Sequence, residues 1–249
     1  MATYLDAILA AHHQRAAADG RAPVRDFKAA LRRSDGIAVI AEIKRRSPSK
    51  GALAPNDLDA AALTADYERG GAVALSVLTD EAHFGGSPAD LRAARDATAI
   101  PVLRKDFTVC EADVVDARAM GADAVLLIVA ALDDAELKSF AELARHLHLA
   151  ALVEAHDEDE VERALRAGAD IVGVNQRDLV TFEVDTDRAA RVAAAIPDTV
   201  VKVAESGIRS PDDAKRLRDA GYDSILVGEH LVTSGDPAAA VRKLVVACS

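Results

Sequence analysis

Eight short runs of β-forming residues recur along this chain at a spacing of roughly 20–35 residues, the length of one strand–helix unit. They are Ile37–Ile43, Val73–Thr79, Val102–Phe107, Ala124–Val129, Ala151–Glu154, Ile171–Asn175, Val200–Ala204 and Ser224–Val227. Between them lie amphipathic segments rich in Ala, Leu, Arg, Asp and Glu, which are good helix formers. The joints repeat as well. Gly70-Gly-Ala-Val73, Gly121-Ala-Asp-Ala-Val125, Gly168-Ala-Asp-Ile-Val172 and Gly221-Tyr-Asp-Ser-Ile225 each put glycine between a helical pattern and a strand, where a left-handed cap suits it. Ser87-Pro88-Ala89-Asp90 and Ser210-Pro211-Asp212-Asp213 mark helix starts, with an N-cap serine before proline and Asp three residues on. Strand and helix alternate eight times without a long linker. That pattern favours an α/β fold of one closed (β/α)₈ TIM barrel, one domain over residues 1–249. An open doubly wound sheet is the alternative. It calls for a glycine-rich turn after the first strand, and KRRSPSKG does not match GxGxxG.

Ahead of the first strand, Tyr4 to Ala18 reads as an added helix and Val24 to Arg33 as another short one. This N-terminal helical extension, about residues 1–35, either caps the bottom of the barrel or contributes to the site.

Charge and composition narrow the partners. A formal net charge of −11 argues against a general nucleic-acid binder but leaves room for a local cationic pocket. The two cysteines, Cys110 and Cys248, make neither a disulfide framework nor a zinc site. The apolar run Ala124–Leu132 is far shorter than the roughly 18–20 residues of a membrane span. Ala7 to Ala18 is interrupted by His12, His13, Gln14 and Arg15, so no signal-peptide core is read there. A cytoplasmic protein with no membrane or nucleic-acid partner is expected, as a monomer or a weak homodimer. The seven histidines, including His83, His156 and His230, lack metal-ligand spacing and read as surface or supporting groups.

In a barrel, alternate strand residues point inward, and catalytic groups gather at the C-terminal strand ends. The first strand runs into AEIKRRSPSKG, which places Glu42 and Lys44 on one side with Ile43 facing the helices. The third puts Lys105 and Phe107 inside with Leu103, and leaves Arg104 and Asp106 outside. Glu154 falls inside with Leu152, Asn175 shares the inner side with Arg177, and Glu205 does so with Val201 and Val203. A one-residue slip in register reverses any of these assignments. The inner list holds three carboxylates and three cations (Glu42, Glu154, Glu205, Lys44, Lys105 and Arg177), so it is neutral before a ligand arrives. Buried charges of this kind either pair with one another or await a charged ligand. The plain alternative is an ion-pair network that closes the barrel top.

Two glycine pairs add a second signal. Ser206-Gly207 follows the seventh strand and Gly228-Glu229 the eighth, where barrels of this type bind phosphate. Two ordinary turns would read the same. Phe84, before Gly85-Gly86, is a candidate cover for an aromatic ligand or plain packing.

The stretches AEIKRRSPSKG, FGGSPADL, PVLRKDF, GADAVLLIVAAL, VEAH, VNQRDLVTFEVD, VKVAESGI and LVGEHL, in that order from Ala41 to Leu231, resemble the strand-end motifs of indole-3-glycerol phosphate synthases. The resemblance implies a (β/α)₈ barrel with an N-terminal helical segment and no metal or organic cofactor. It implies an anionic small-molecule substrate, 1-(2-carboxyphenylamino)-1-deoxyribulose 5-phosphate, closed to indole-3-glycerol phosphate with loss of carbon dioxide and water. By motif position Lys105 resembles the general acid at the C2' oxygen, and Glu154 the acid/base partner in the dehydration. Lys44, with Glu42, matches the group near the anthranilate carboxylate, and the division of labour between the two lysines stays open. Asn175 and Arg177 match substrate-positioning residues and Glu205 one that orients the reacting groups. Ser47, Pro48, Phe84, Phe107 and Leu126 match walls of the anthranilate pocket; Ser206, Gly207, Gly228 and Glu229 match the phosphate site, Glu229 through its backbone N–H. A nearby cation is expected to lower a lysine pKa toward neutrality. Two departures stand out. Cys110-Glu-Ala-Asp113 leaves the capping of its helix open, and Arg46 is a candidate addition to the phosphate field. A sugar-phosphate isomerase barrel would use the glycine pairs but leave Lys44, Lys105 and Glu154 idle. A catalytically silent scaffold is the other alternative, and no acid or base position is lost to favour it.

Overall fold

In the computed structural model of the chain, residues 23–32 and 36–247 are described. Eight strands carry the fold: β1 Ala38–Ile43, β2 Ala74–Leu78, β3 Val102–Lys105, β4 Ala124–Ile128, β5 Ala150–Ala155, β6 Ile171–Asn175, β7 Val201–Glu205 and β8 Ser224–Val227. All pair in parallel with their neighbours, and β8 returns to β1, so the sheet closes into a barrel. Each sequence-predicted strand is present, with no end moved by more than two residues. The third stops at Lys105 because the Asp106 carboxylate accepts from the Phe107 N–H at 2.9 Å and turns the chain out of the sheet.

Alternation along the strands divides the apolar residues into two cores. Ile40, Leu103, Leu126, Leu152, Ile171, Val201, Val203 and Leu226 fill the barrel. Val39, Ala41, Ile43, Val77, Val125, Leu127, Val153, Val172 and Ile225 face outward onto helices such as Ala60–Gly70, Asp134–His146 and Pro237–Val246. The left-handed joints fall at Gly71, Gly121, Gly168 and Gly221, all with φ between 83° and 101°. Ser87 and Ser210 cap their helices as expected, accepting from the N–H groups of Asp90 and Asp213 at 3.1 and 3.2 Å.

Within the N-terminal extension, the short predicted helix appears as Phe27–Leu31, capped by Asp26. Phe27 and Leu31 are buried with the inner barrel core. The Arg25 N–H bonds to Asp123, immediately before β4, at 2.7 Å, so this segment plugs the N-terminal end of the barrel, away from the catalytic end. The Tyr4–Ala18 helix lies outside the described residues.

The helix Glu111–Met120 starts at Cys110, and half of its cap is borrowed. Asp113 accepts from the N–H groups of Val109 and Cys110 at 2.9 and 3.1 Å, and the Cys110 thiol sits 3.3 Å from the same carboxylate. Serine at this position would accept from the Asp113 N–H as Ser87 and Ser210 do from theirs. Cys110→Ser is therefore expected to raise stability by about 0.5–1 kcal/mol, read as a higher Tm in a thermal melt.

Candidate active site

One cavity opens at the C-terminal ends of the strands, and the sixteen residues matched to the site by motif position line it. β1 delivers Glu42, with Lys44 just past its end, β3 Lys105, β4 Leu126, β5 Glu154, β6 Asn175 and β7 Glu205; the connections after the strands add Ser47, Pro48, Phe84, Phe107, Arg177, Ser206, Gly207, Gly228 and Glu229. The inward parity read from each strand holds.

Sheet register sets the distances between the charges. Glu154 lies opposite Gly173, and Asn175 opposite Glu205, so both carboxylates flank β6. The Lys105 ammonium stands between them, 3.4 Å from Glu154 Oε2 and 3.7 Å from Glu205 Oε2. Asn175 Nδ2 donates to Glu154 Oε1 at 3.0 Å. Lys44 donates to Glu42 Oε1 at 2.5 Å, and the Tyr67 hydroxyl holds the Glu42 carbonyl at 3.1 Å. All three carboxylates are buried.

Burial and charge then separate the two carboxyls beside Lys105. Burial raises both. Lys105 and the Asn175 amide nevertheless hold Glu154 below its ordinary range. For Glu205, burial together with the negative charges of Glu154 and Glu42 outweighs Lys105 and pushes the pKa well up. Glu205 Oε1 is buried without a hydrogen-bond partner, a cost that a protonated carboxyl bears more easily than a carboxylate.

Lys105 departs from expectation. Burial alone would lower its pKa, but the fields of Glu154, Glu205 and Glu42 overcome it and raise the ammonium above its ordinary value. The neighbours that matter are anions, not a second cation. The ammonium form is therefore favoured over the free amine, and Lys105 is not poised near neutrality.

The far wall is built from backbone. Ser206 and Gly207 both take positive φ, 68° and 74°, which turns the chain sharply off β7. Gly228 leads into the short helix Glu229–Val232, whose first N–H groups have no partner within the helix. The Glu229 carboxylate lies 3.7 Å from Lys50, turned toward the first loop. Arg177 donates to Ser49 Oγ at 3.3 Å and to the Phe182 carbonyl at 3.0 Å, joining the loops after β1 and β6 across the mouth. The Ser47 hydroxyl is buried without a partner.

Several participants were not read from the sequence. Leu78, Asp80, Ile128, Leu179, Phe182 and Arg209 also line the cavity. Arg209 follows Ser206-Gly207 by two residues, a cation beside the backbone turn, and that spacing was the available signal. Arg45 is anchored on Asp90 through two hydrogen bonds of 2.5 and 2.8 Å and reaches the carbonyls of Asn56, Leu58 and Gly85. It staples the loops after β1 and β2 together. Arg46, the candidate addition to the phosphate field, lies instead along Gly85 and is not among the cavity residues. Arg104 and Asp106, placed outside the barrel, pair with each other at 3.0 Å, and Arg104 also reaches the Asp113 carbonyl of the neighbouring helix. Among the described residues no group of three or more His, Cys, Asp and Glu is placed to hold a metal ion. Nor is any described helix long and apolar enough to cross a membrane.

The family model for indole-3-glycerol phosphate synthase matches residues 5–244. The indole-3-glycerol phosphate synthase of Streptomyces griseus is 57% identical over 228 residues, covering 91% of this chain and 84% of that protein. That of Beutenbergia cavernae is 56% identical over 227 residues, with 91% and 84% covered. Among solved structures, thiamine phosphate pyrophosphorylase from Pyrococcus furiosus superposes with a TM-score of 0.64 at 18% identity, covering 89% of this chain and 97% of that one. N-acetylmannosamine-6-phosphate 2-epimerase from Clostridium perfringens gives 0.64 at 13% identity, covering 85% and 93%. At such identities the two structures speak for the barrel alone. The sequence matches, spanning nearly the whole barrel, say more: this chain belongs to the indole-3-glycerol phosphate synthase family.

Proposed function

We propose that this chain converts 1-(2-carboxyphenylamino)-1-deoxyribulose 5-phosphate to indole-3-glycerol phosphate, carbon dioxide and water, the ring-closing step toward tryptophan. One observation carries the assignment of roles: the Lys105 ammonium sits between Glu154 and Glu205, 3.4 and 3.7 Å away, at the base of a cavity with a backbone-lined far wall. The phosphate lies against Ser206, Gly207, Gly228 and the Glu229 N–H, with Arg209 at its edge. The aromatic ring lies between Pro48, Phe84, Phe107 and Leu126, and Lys44, held by Glu42, meets its carboxylate. Arg177 fixes the ribulose chain from the mouth.

In ring closure the anthranilate carbon attacks the C2' carbonyl carbon, and Lys105 gives a proton to the C2' oxygen as its π bond breaks. The C–CO₂ bond then breaks, and its electron pair neutralises the iminium nitrogen. In the dehydration Glu154 takes the C1' proton while the C2' hydroxyl departs as water, protonated from the lysine side. Asn175 keeps Glu154 aimed, and Glu205 holds the Lys105 ammonium in place. A carboxylate becomes neutral carbon dioxide, so each turnover takes up one proton. Each well-placed acid or base contributes about 10²–10⁴ in rate. The test is direct: the folded protein is mixed with the substrate and indole fluorescence is followed. Growth of the indole signal is expected, and a flat trace overturns the assignment.

A further inference from the structure

Glu154 has a neighbour that the chemistry above does not use. His156, two residues on and just past the end of β5, does not line the active cavity but a second one beside it. Glu160, in the first turn of the helix Glu158–Arg166, fixes the ring. Its Oε2 accepts from the His156 backbone N–H at 2.8 Å and from ring Nδ1 at 2.9 Å. A carboxylate can only accept, so the Nδ1 position carries the proton. That turns Nε2 toward the active site, 3.8 Å from Glu154 Oε1, where it is buried and has no hydrogen-bond partner. The imidazole is thus clamped between two carboxylates, one structural and one facing substrate.

We propose that His156 is a positioning residue for Glu154: a cation clamped by Glu160 that holds the carboxylate ionised from behind. Its charges are named by what packs around it. Glu154 and Glu160 favour the imidazolium, and Arg188, whose guanidinium bonds the Asn175 carbonyl at 3.1 Å, opposes it. Asp157, Glu158, Asp178 and Arg191 line the same outer cavity. Burial lowers the ring's affinity for a proton, but the two carboxylates outweigh it, and the net direction is upward. The role rests on the base function assigned to Glu154 above.

The sign follows from electrostatics. In the acidic range where Glu154 begins to protonate, His156 is charged and keeps the carboxylate pKa low. Removing the charge raises it. A cation within about 4–6 Å shifts a carboxylate by roughly one unit or more. In His156→Gln the acid limb of the kcat profile is therefore expected to move up by about one pH unit with KM unchanged, and in His156→Lys, which restores a cation, to stay at the wild-type position. Coupling is reciprocal, so Glu154→Gln is expected to lower the His156 ring pKa by a similar amount, read by ¹⁵N NMR titration of the free protein. The NMR arm needs no turnover: a wild type without activity would overturn the functional assignment and leave the coupling measurable. An identical His156 titration in wild type and Glu154→Gln overturns the proposal. So does a His156→Gln acid limb that has not moved, or a His156→Lys limb shifted as far as that of His156→Gln.

Discussion

Lys105→Met is expected to lower kcat by about 10²–10⁴-fold, with the folded state intact by circular dichroism and the substrate still bound. Methionine fills the volume of the lysine stem but supplies neither proton nor charge. Without the ammonium, Glu154 and Glu205 face each other unscreened, so Glu154 loses the nearer of the two cations that lower its pKa and binds a proton more readily. The variant is damaged twice: the acid at the C2' oxygen is gone, and the base for the dehydration is pushed toward its neutral form. Indole fluorescence under saturating substrate measures the loss. A Lys105→Met enzyme within a few-fold of wild type would remove Lys105 from the acid role.

Gly173→Ala is expected to cost nearly as much activity from a residue that touches no substrate. A Cβ at this position would stand 2.2 Å from Glu205 Oε1 and 3.2 Å from Leu152 Cδ1. The obstacle is a buried carboxyl wedged between strands, so relief requires Glu205 to leave its rotamer and carry its contact with Lys105 away. Overpacking of this kind costs roughly 1–3 kcal/mol in stability. The displaced ammonium is expected to lose on the order of 10² in kcat, since catalytic groups tolerate little misplacement. Kinetics and a thermal melt on the same sample separate the two effects. A Gly173→Ala enzyme with wild-type kcat would mean that Glu205 does not hold Lys105 in place.

Gly173 also marks where sequence reading runs out. Period-two alternation, glycine joints and serine caps were enough to count eight strands, close the barrel and aim Glu42, Lys105, Glu154 and Glu205 inward, because each rests on local rules of backbone geometry. Glycine in the middle of a strand carries no such rule. Its reason is the carboxyl of a residue thirty-two positions on, visible only once register brings β6 beside β7. Gly228 repeats the case, with the Glu42 carboxylate 2.2 Å from where a Cβ would stand. The protonation pattern was illegible for a related reason. Sequence counted three carboxylates against three cations, whereas the distances show two carboxyls sharing one lysine, and burial with the neighbouring negative charges raises Glu205 while Lys105 lowers Glu154. Cys110 was locally ambiguous because a cysteine seldom caps a helix, and Asp113 three residues on resolves it through the backbone. His156 was read only as a surface or supporting group, because the direction its ring faces is set by Glu160 and not by local sequence.

The Arg45 guanidinium has a consequence for the shape of the mouth. Ser47 and Pro48 stand on one side of the aromatic slot and Phe84 on the other, each on its own loop. Both loops are tied to that single planar group, one through the carbonyls of Asn56 and Leu58 and the other through Gly85 and Asp90. The gauge of the slot is therefore set by one fastener beneath it, and a designer wishing to admit a wider ring would re-cut the Arg45–Asp90 joint before trimming either wall.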